Sequence, residues 1–479
     1  MTRALLLAAL LWALPFAGAV AATWVDPAGR PTAAAREALA LLASAPEDGL
    51  DARDDVVAGL ASRVPDAAWA AALEAHLLRY LRHLHAGRVT PRELGFRVVA
   101  PPLEDSELAR RLDEAVAAGR LAALADELRP PFVQYRRLRS ALASYRALAA
   151  APALAPLPPT PTVRPGDPYA GATALRQRLQ AFGDLPAAPA GAPQETAYAA
   201  PLVEAVQRFQ ARHGLEADGL LGRATQAALN VPPAQRVRQI ELALERLRWL
   251  PRRSGRPVIA VNIPMYRLWA WDAGQDDAHP ALSMGVIVGR ALNTRTPVFA
   301  DEMRWLIFRP SWYVPRSIVR DEILPALARD PSYLARHDME LTRVPGEALP
   351  RIRQRPGPSN SLGLVKFIFP NDANVYLHGT PAPRLFAQAR RDFSHGCVRV
   401  EEPVALAQWV LKDRPEWTRE AILAAMNGGD SRQVDLSAPL PVLLYYLTAM
   451  VMPEDGQLHF AADVYGHDAA LERALKARR

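Results

Sequence analysis

"VYLHGTPAPRLFAQARRDFSHGCVRV", residues 375–400, is the stretch from which the rest of the chain is read. It opens on a β-branched and aromatic run, Val375-Tyr376-Leu377, that predicts a strand delivering His378 at its end, with Gly379 at a turn immediately after. It closes on Ser394-His395-Gly396-Cys397, followed by Val398-Arg399-Val400. Cys397 is the only cysteine among 479 residues, so it can close no intramolecular disulfide. An inert core cysteine would sit among apolar neighbours. Here His395 and Ser394 crowd polar atoms beside the thiol, and Gly396 leaves room for a backbone to approach it. A thiol that attacks a carbonyl needs a base, because its ordinary pKa of about 8.5 leaves it mostly protonated near neutrality. It also needs donors for the oxyanion. His378, at the end of a rigid element, is the candidate base. If Cys397 and Arg399 lie on one strand their side chains share a face, and Arg399 can then lower the thiol pKa or hold a carboxylate.

Outward from this stretch the texture is β-rich. "VIAVNI", "YRLWAW", "MGVIVG", "RWLIF" and "LVKFIF" are short runs between Gly, Pro, Asn and Asp, and they predict a β-rich domain over 257–412. A segment at about 310–345, helical in its middle, interrupts the strands, and such an insertion can cap a site. Upstream the chain reads as helix. Over 24–150, Trp69, Leu73, Leu77, Tyr80, Leu81 and Leu84 recur at helical spacing before Gly87 stops the run. "APALAPLPPTPTVRPGDP", residues 151–168, predicts a linker, since proline fixes φ and removes a donor. "AVQRFQARHGLEADGLLGRATQAALN", 205–230, predicts a compact helical hairpin around Asp218-Gly219 within a unit over 169–230. Residues 231–256 carry an amphipathic helix, with Val237, Ile240, Leu244 and Leu247 on the face expected to pack on the N-terminal helices.

The N-terminus, "MTRALLLAALLWALPFAGAVAATW", has Arg3, an apolar run and a small-x-small ending at Ala19-Val20-Ala21. It predicts a secretory signal peptide over 1–21, the alternative being a retained inner-membrane anchor. Net charge is +7, from 57 basic and 50 acidic residues, and no block of like charge carries interleaved aromatics. Nucleic acid is therefore a poor partner. A carboxylate-bearing polymer outside the cytoplasm fits better. His76, His83 and His85 have no carboxylate or cysteine at ligand spacing and are read as surface or structural residues, with no metal.

"HGTP" at 378–381 with "SHGCVRV" at 394–400 resembles the signature of the L,D-transpeptidase family. Supporting runs are "VNIPMYRLWAW", "VIVG", "TPVF", "PSWYVP", "RQRPGPSNSLGLVKFIFPN" and "PLPVLLYYLTAMVMPEDGQLHFAADVYGHD". "FQARHGLEADGLLGRAT" resembles the repeat of the peptidoglycan-binding domain. Together these look like the large multidomain Gram-negative branch of the family. The resemblance implies an α+β multidomain protein. A small sandwich or barrel-like catalytic domain over 257–412 would be joined by a helical scaffold and a helical peptidoglycan-binding domain, with 413–479 completing the catalytic and scaffold region. It implies Cys397 as nucleophile and His378 as base, oriented through the Gly379 carbonyl. The oxyanion hole would come from the N–H groups of Gly396 and Cys397, aided by His395. Arg399 and Ser394 would serve the substrate or the loop, Trp312 and Tyr313 the cap, and Asn360 and Gly363 its hinge or the substrate groove. Members of this branch often carry Asp after the base histidine, where this chain has Gly379.

The implied reaction, without cofactor, is cross-linking of peptidoglycan stem peptides through their third residues, meso-diaminopimelate, in the periplasm. Carbapenems would acylate Cys397, and most penicillins would do so poorly. Hydrolysis of the same substrate, as an L,D-carboxypeptidase, is the alternative within the family. A non-catalytic wall-binding scaffold is the alternative outside it. A papain-like peptidase is disfavoured because here the histidine precedes the cysteine.

Overall fold

Fourteen strands follow Pro257 in the computed structural model, which describes residues 23–50, 54–187, 197–252, 255–291 and 294–478. The expected signal peptide lies outside the described residues. In chain order the strands are β1 (Val258–Asn262), β2 (Arg267–Trp271), β3 (Leu282–Gly289), β4 (Phe299–Phe308), β5 (Trp312–Tyr313), β6 (Met339–Thr342) and β7 (Arg351–Gln354). They continue as β8 (Val365–Ile368), β9 (Leu377–His378), β10 (Asp392–Ser394), β11 (Val398–Val400), β12 (Arg432–Tyr445), β13 (Ala449–Val451) and β14 (Leu458–Phe460). Nine of them form one sheet in the order β10-β3-β11-β9-β8-β4-β12-β1-β2. β2 also pairs with β3, so all but β10 close into a barrel. Closure removes the free edges that an open sheet would expose.

Strands β1 and β2 show why this part of the sequence reads as nearly continuous apolar residues. Ile259, Val261, Leu268 and Ala270 fill the barrel. Ala260, Trp269 and Trp271 point the other way, into a second core built with Tyr135, Leu138, Leu142, Ile240 and Leu244. The helices Val133–Ala150 and Pro233–Leu247 supply that outer layer, so the amphipathic helix over 231–256 does pack on the N-terminal helical region. β12 lies beyond 412 yet is a central strand. It runs parallel to β1, with Val442 opposite Ile259, and antiparallel to β4.

The N-terminal helices assemble around Trp24, Trp69, Leu73, Leu77 and Leu81. Their longest member, Ala67–Ala86, starts where Asp66 Oδ1 accepts the Trp69 N–H at 2.7 Å and ends at Gly87. A buried network ties this layer to the helix Pro233–Leu247 and to Arg248 just after it. Glu245 accepts Arg248 at 3.0 Å and the Val89 N–H at 3.1 Å. Arg248 also donates to Tyr135 Oη at 2.8 Å, and Asp48 accepts Arg129 at 3.0 Å.

The proline-rich stretch departs from its expected role. Residues 151–168 are no free linker, because Leu157 and Val163 are buried in the core of the helical unit that follows. Val163 pairs with Leu221, and the carbonyls of Leu154 and Ala155 accept from Arg178. Proline removes donors but keeps carbonyls, and Arg178 uses them. That unit is docked on the barrel side. Arg212 Nη1 donates to Leu458 O at 2.6 Å, the His213 ring stacks on Phe460 with centroids 5.5 Å apart, and the Ala389 N–H donates to Glu216 at 2.7 Å.

The insertion is also larger than its sequence suggests. β5, β7 and β6 form a separate three-stranded sheet that extends it to Gln354, with its own core of Val314, Ile318, Val319, Ile323 and Ile352. The strands β6 and β7 alternate charged residues such as Glu340 and Arg353, which hides them from a search for apolar runs.

Candidate active site

Register across three short strands builds the site. Lys366 on β8 lies opposite His378 on β9, and His378 lies opposite Arg399 on β11. Residues opposite one another share a face of a sheet. One step along, the Val398 N–H donates to Tyr376 O at 3.1 Å, which sets Tyr376 beside Cys397. The same face therefore carries Lys366, Tyr376, His378, Cys397 and Arg399. Cys397 sits diagonally from His378, a spacing of about 7–8 Å between Cα atoms in a regular sheet, which an imidazole and a thiol can span.

His378 is buried, and its Nδ1 lies 2.6 Å from the Gly379 carbonyl oxygen. A carbonyl only accepts, so Nδ1 carries the proton and Nε2 keeps its lone pair. Burial and the Arg399 charge push the imidazole down to about 3, so it is neutral throughout the physiological range. Gly363 holds the Gly379 backbone in place. Its φ is +64°, and a Cβ there would stand 2.5 Å from the Thr380 nitrogen and 2.6 Å from the Gly379 carbonyl carbon. Any side chain would displace the carbonyl that fixes the histidine.

Cys397 is half-buried, and its thiol points to the Asn374 carbonyl at 3.7 Å. Burial pushes the thiol up, while the Tyr376 hydrogen bond and the charges of Lys366 and Arg399 pull it back down. Net, it stays above its ordinary value, so the resting pair is a neutral thiol and a neutral imidazole. The turn before it depends on Gly396, whose φ of +110° L side chains rarely adopt. Thr296 Oγ1 donates to Gly396 O at 2.8 Å and fastens the turn to the end of β3.

The expected residues divide. Ser394 is buried, donates to Cys397 O at 2.5 Å and accepts the Gly396 N–H at 3.2 Å. It buckles the loop and has no atom left for substrate. The same bond engages the Gly396 N–H, one of the two expected oxyanion donors. No acceptor meets the Cys397 N–H among the described residues. Asn360 is a correction as a substrate contact. It is fully buried, its Nδ2 donates to Pro310 O at 3.1 Å and Arg355 O at 2.8 Å, and its Oδ1 accepts the Leu362 N–H. It joins the two ends of the insertion at their neck. Trp312 packs on the core of the insertion and Tyr313 is exposed, so both belong to that subdomain. His395 turns to the insertion as well, with Nε2 2.6 Å from Glu322 Oε1. Glu322 stands on the π-helical turn Val319–Ile323.

Sequence reading missed Tyr376 and Lys366 as site residues. Tyr376 is half-buried on the same face as Cys397, and the Lys366 Nζ lies 3.7 Å from its ring centroid. The available signal was Tyr376 two positions before His378 on one strand, which puts both on one face.

Family models match three segments: an L,D-transpeptidase catalytic domain over 256–418, a Scaffold domain over 19–142 and a peptidoglycan binding domain over 170–229. Residues 256–418 are an L,D-transpeptidase catalytic domain. A curated protein of Haemophilus influenzae, whose name places it among the L,D-transpeptidases, is 31% identical over 231 residues. The match covers 45% of this chain and 45% of that protein. Among solved structures, L,D-transpeptidase 3 from Mycobacterium tuberculosis with a faropenem-derived adduct aligns at 15% identity and a TM-score of 0.20, over 40% of this chain and 60% of that one. A fused Zn-dependent amidase/peptidase/peptidoglycan-binding protein from Clostridium acetobutylicum aligns at 11% identity and a TM-score of 0.17, over 60% of this chain and 100% of that one. Scores this low speak to no shared overall arrangement.

Two cavities lie near the loop that carries Cys397. A cavity of about 700 Å³ lies between the insertion and the catalytic loop, lined by Arg290, Asp321, Glu322, Arg390 and His395 among others. A second, of about 430 Å³, is walled by Gln210, Glu216, Asp218 and Thr225 of the peptidoglycan-binding segment and by Ala389 and Arg390 of the catalytic domain. Arg390 borders both. No helix among the described residues is long and apolar enough to cross a membrane.

Proposed function

We propose that this L,D-transpeptidase joins peptidoglycan stem peptides through a thioester on Cys397. The observation that carries the reading is His378, held through Nδ1 by the Gly379 carbonyl and standing on the sheet face it shares with Cys397. His378 takes the thiol proton as sulfur attacks the carbonyl of the third residue in a donor tetrapeptide. The Cys397 N–H steadies the oxyanion. The intermediate collapses, the bond to D-Ala breaks, and His378 returns its proton to the leaving amine. The side-chain amine of a third residue on another stem, meso-diaminopimelate, then gives up a proton to His378 and attacks the thioester, freeing the thiol. The peptidoglycan-binding segment supports a wall substrate, and the signal-peptide reading supports a periplasmic site of action.

Disaccharide-tetrapeptide incubated with the purified mature protein should yield a cross-linked dimer that has lost one D-Ala, read by mass spectrometry. Tripeptide alone would make the protein an L,D-carboxypeptidase, and unchanged substrate would leave a wall-binding scaffold.

The insertion acts in this reading as a cap that favours the amine over water. Its visible latch is the His395–Glu322 pair, whose side chains are 29% and 46% exposed. A pair so open to solvent contributes at most about 1 kcal/mol, so Glu322→Ala should raise the ratio of hydrolysis to cross-linking by no more than about five-fold. Removing residues 312–354 with a short bridge should raise it further. An unchanged ratio in both would remove the cap role.

A further inference from the structure

Two cations beside the thiol have no carboxylate partner among the described residues. Arg399 is half-buried, and its buried Nε meets no acceptor among the described residues. Lys366 is half-buried over the Tyr376 ring. Among the described residues neither cation forms an ion pair with a carboxylate, and Arg290 adds a further positive charge near Arg399. Three buried arginines of the chain are paired with carboxylates: Arg212 with Asp184 at 2.6 Å, Arg246 with Asp468 at 2.5 Å and Arg248 with Glu245 at 3.0 Å. A fourth, Arg178, is met by the carbonyls of Leu154, Ala155 and Leu229, whereas Arg399 has neither kind of partner at Nε. A half-buried cation without a partner is destabilising, and its retention in a cleft points to an anion that arrives with a ligand.

Distance narrows the choice of anion. Two residues along a strand span about 6.6 Å, the separation of Cys397 from Arg399. In a peptide the next Cα lies about 3.8 Å on across a trans bond. A carboxylate on the residue just after the attacked carbonyl therefore falls within reach of Arg399 and Lys366 while the carbonyl stands over the sulfur. We propose that Lys366 and Arg399 form a receptor for the C-terminal carboxylate of the donor stem, on the residue that leaves. The proposal rests on the transpeptidase reading and deepens it. A stem ending at its fourth residue presents that charge. A stem with a fifth residue presents a neutral amide in the same place and leaves both cations unpaired.

The test separates binding from turnover. Binding of free tetrapeptide and of its C-terminal amide to Cys397→Ala protein is measured by calorimetry, alone and combined with Lys366→Gln, Arg399→Gln or Lys366→Arg. The free acid should bind about 10- to 100-fold more tightly than the amide. Either glutamine variant should bring that ratio close to one, and Lys366→Arg should keep it. Equal affinity for acid and amide in Cys397→Ala protein overturns the proposal, as does a preference that survives both glutamine variants. Turnover by the wild type tests the other reading. If it consumes neither donor while the acid preference in binding persists, the carboxylate receptor stands and the transpeptidase reading falls. If the glutamine variants slow turnover of acid and amide donors equally, the cations serve the thiol alone and the receptor is wrong.

Discussion

Alanine at Cys397 should lower the release of D-Ala and the formation of cross-links by at least about 10⁴-fold, and no thioester or carbapenem adduct should appear in the intact mass. No other side chain can take over. The chain has no second thiol. The Ser394 hydroxyl is committed to the Cys397 carbonyl, and burial pushes the Tyr376 hydroxyl well above the ordinary phenol range. Residual turnover within 100-fold of the wild type would remove Cys397 as nucleophile. The free enzyme should also report its resting state. Burial raises the thiol, and His378 is neutral above about 3, so a thiolate–imidazolium pair is absent at neutral pH. Alkylation by iodoacetamide should therefore climb with pH on the alkaline side of the ordinary thiol range, and a plateau at neutral pH would contradict this.

A chain cut to residues 256–418, the span of the catalytic-domain match, should fail to fold. It loses β12, the strand between β4 and β1. Val434, Leu440, Val442, Leu444 and Tyr445 on that strand are all buried. At about 1.5–3 kcal/mol each, their burial matches the whole stability of an ordinary domain, about 5–15 kcal/mol. The cut also removes Tyr465, whose hydroxyl donates to Gly289 O at 2.5 Å at the end of β3. Circular dichroism and limited proteolysis would decide it, and a cooperative melting transition in the short chain would show that the barrel closes without β12.

That His378 and Cys397 share one candidate site was legible because each stands in a local pattern: a strand ending at His-Gly, and a polar loop around a single thiol. The barrel was legible from its short β-branched runs. Tyr376 and Lys366 were not legible as site residues. Each reads as an ordinary strand residue until the register sets Lys366 opposite His378 and Tyr376 beside Cys397. The resemblance offered Asn360 for the hinge of the insertion or the substrate groove, but only the fold shows that Pro310 and Arg355 meet on its amide. The proline-rich stretch misled in the opposite sense. Its composition announces a spacer, whereas Leu157 and Val163 are two apolar anchors that the following unit buries.

That last feature changes what the wall-binding segment can do. A groove on a flexible tether would only enrich substrate, with a strength set by tether length. Here Arg212, His213 and Glu216 clamp the segment to β14 and to the loop before β10. The distance from the groove to Cys397 is then a constant of the molecule, and under the proposed function the enzyme would work as a fixed gauge. A strand gripped at one end would be stitched at a set number of sugar units from the grip. The spacing of the bonds it makes in the wall would carry the dimensions of the protein.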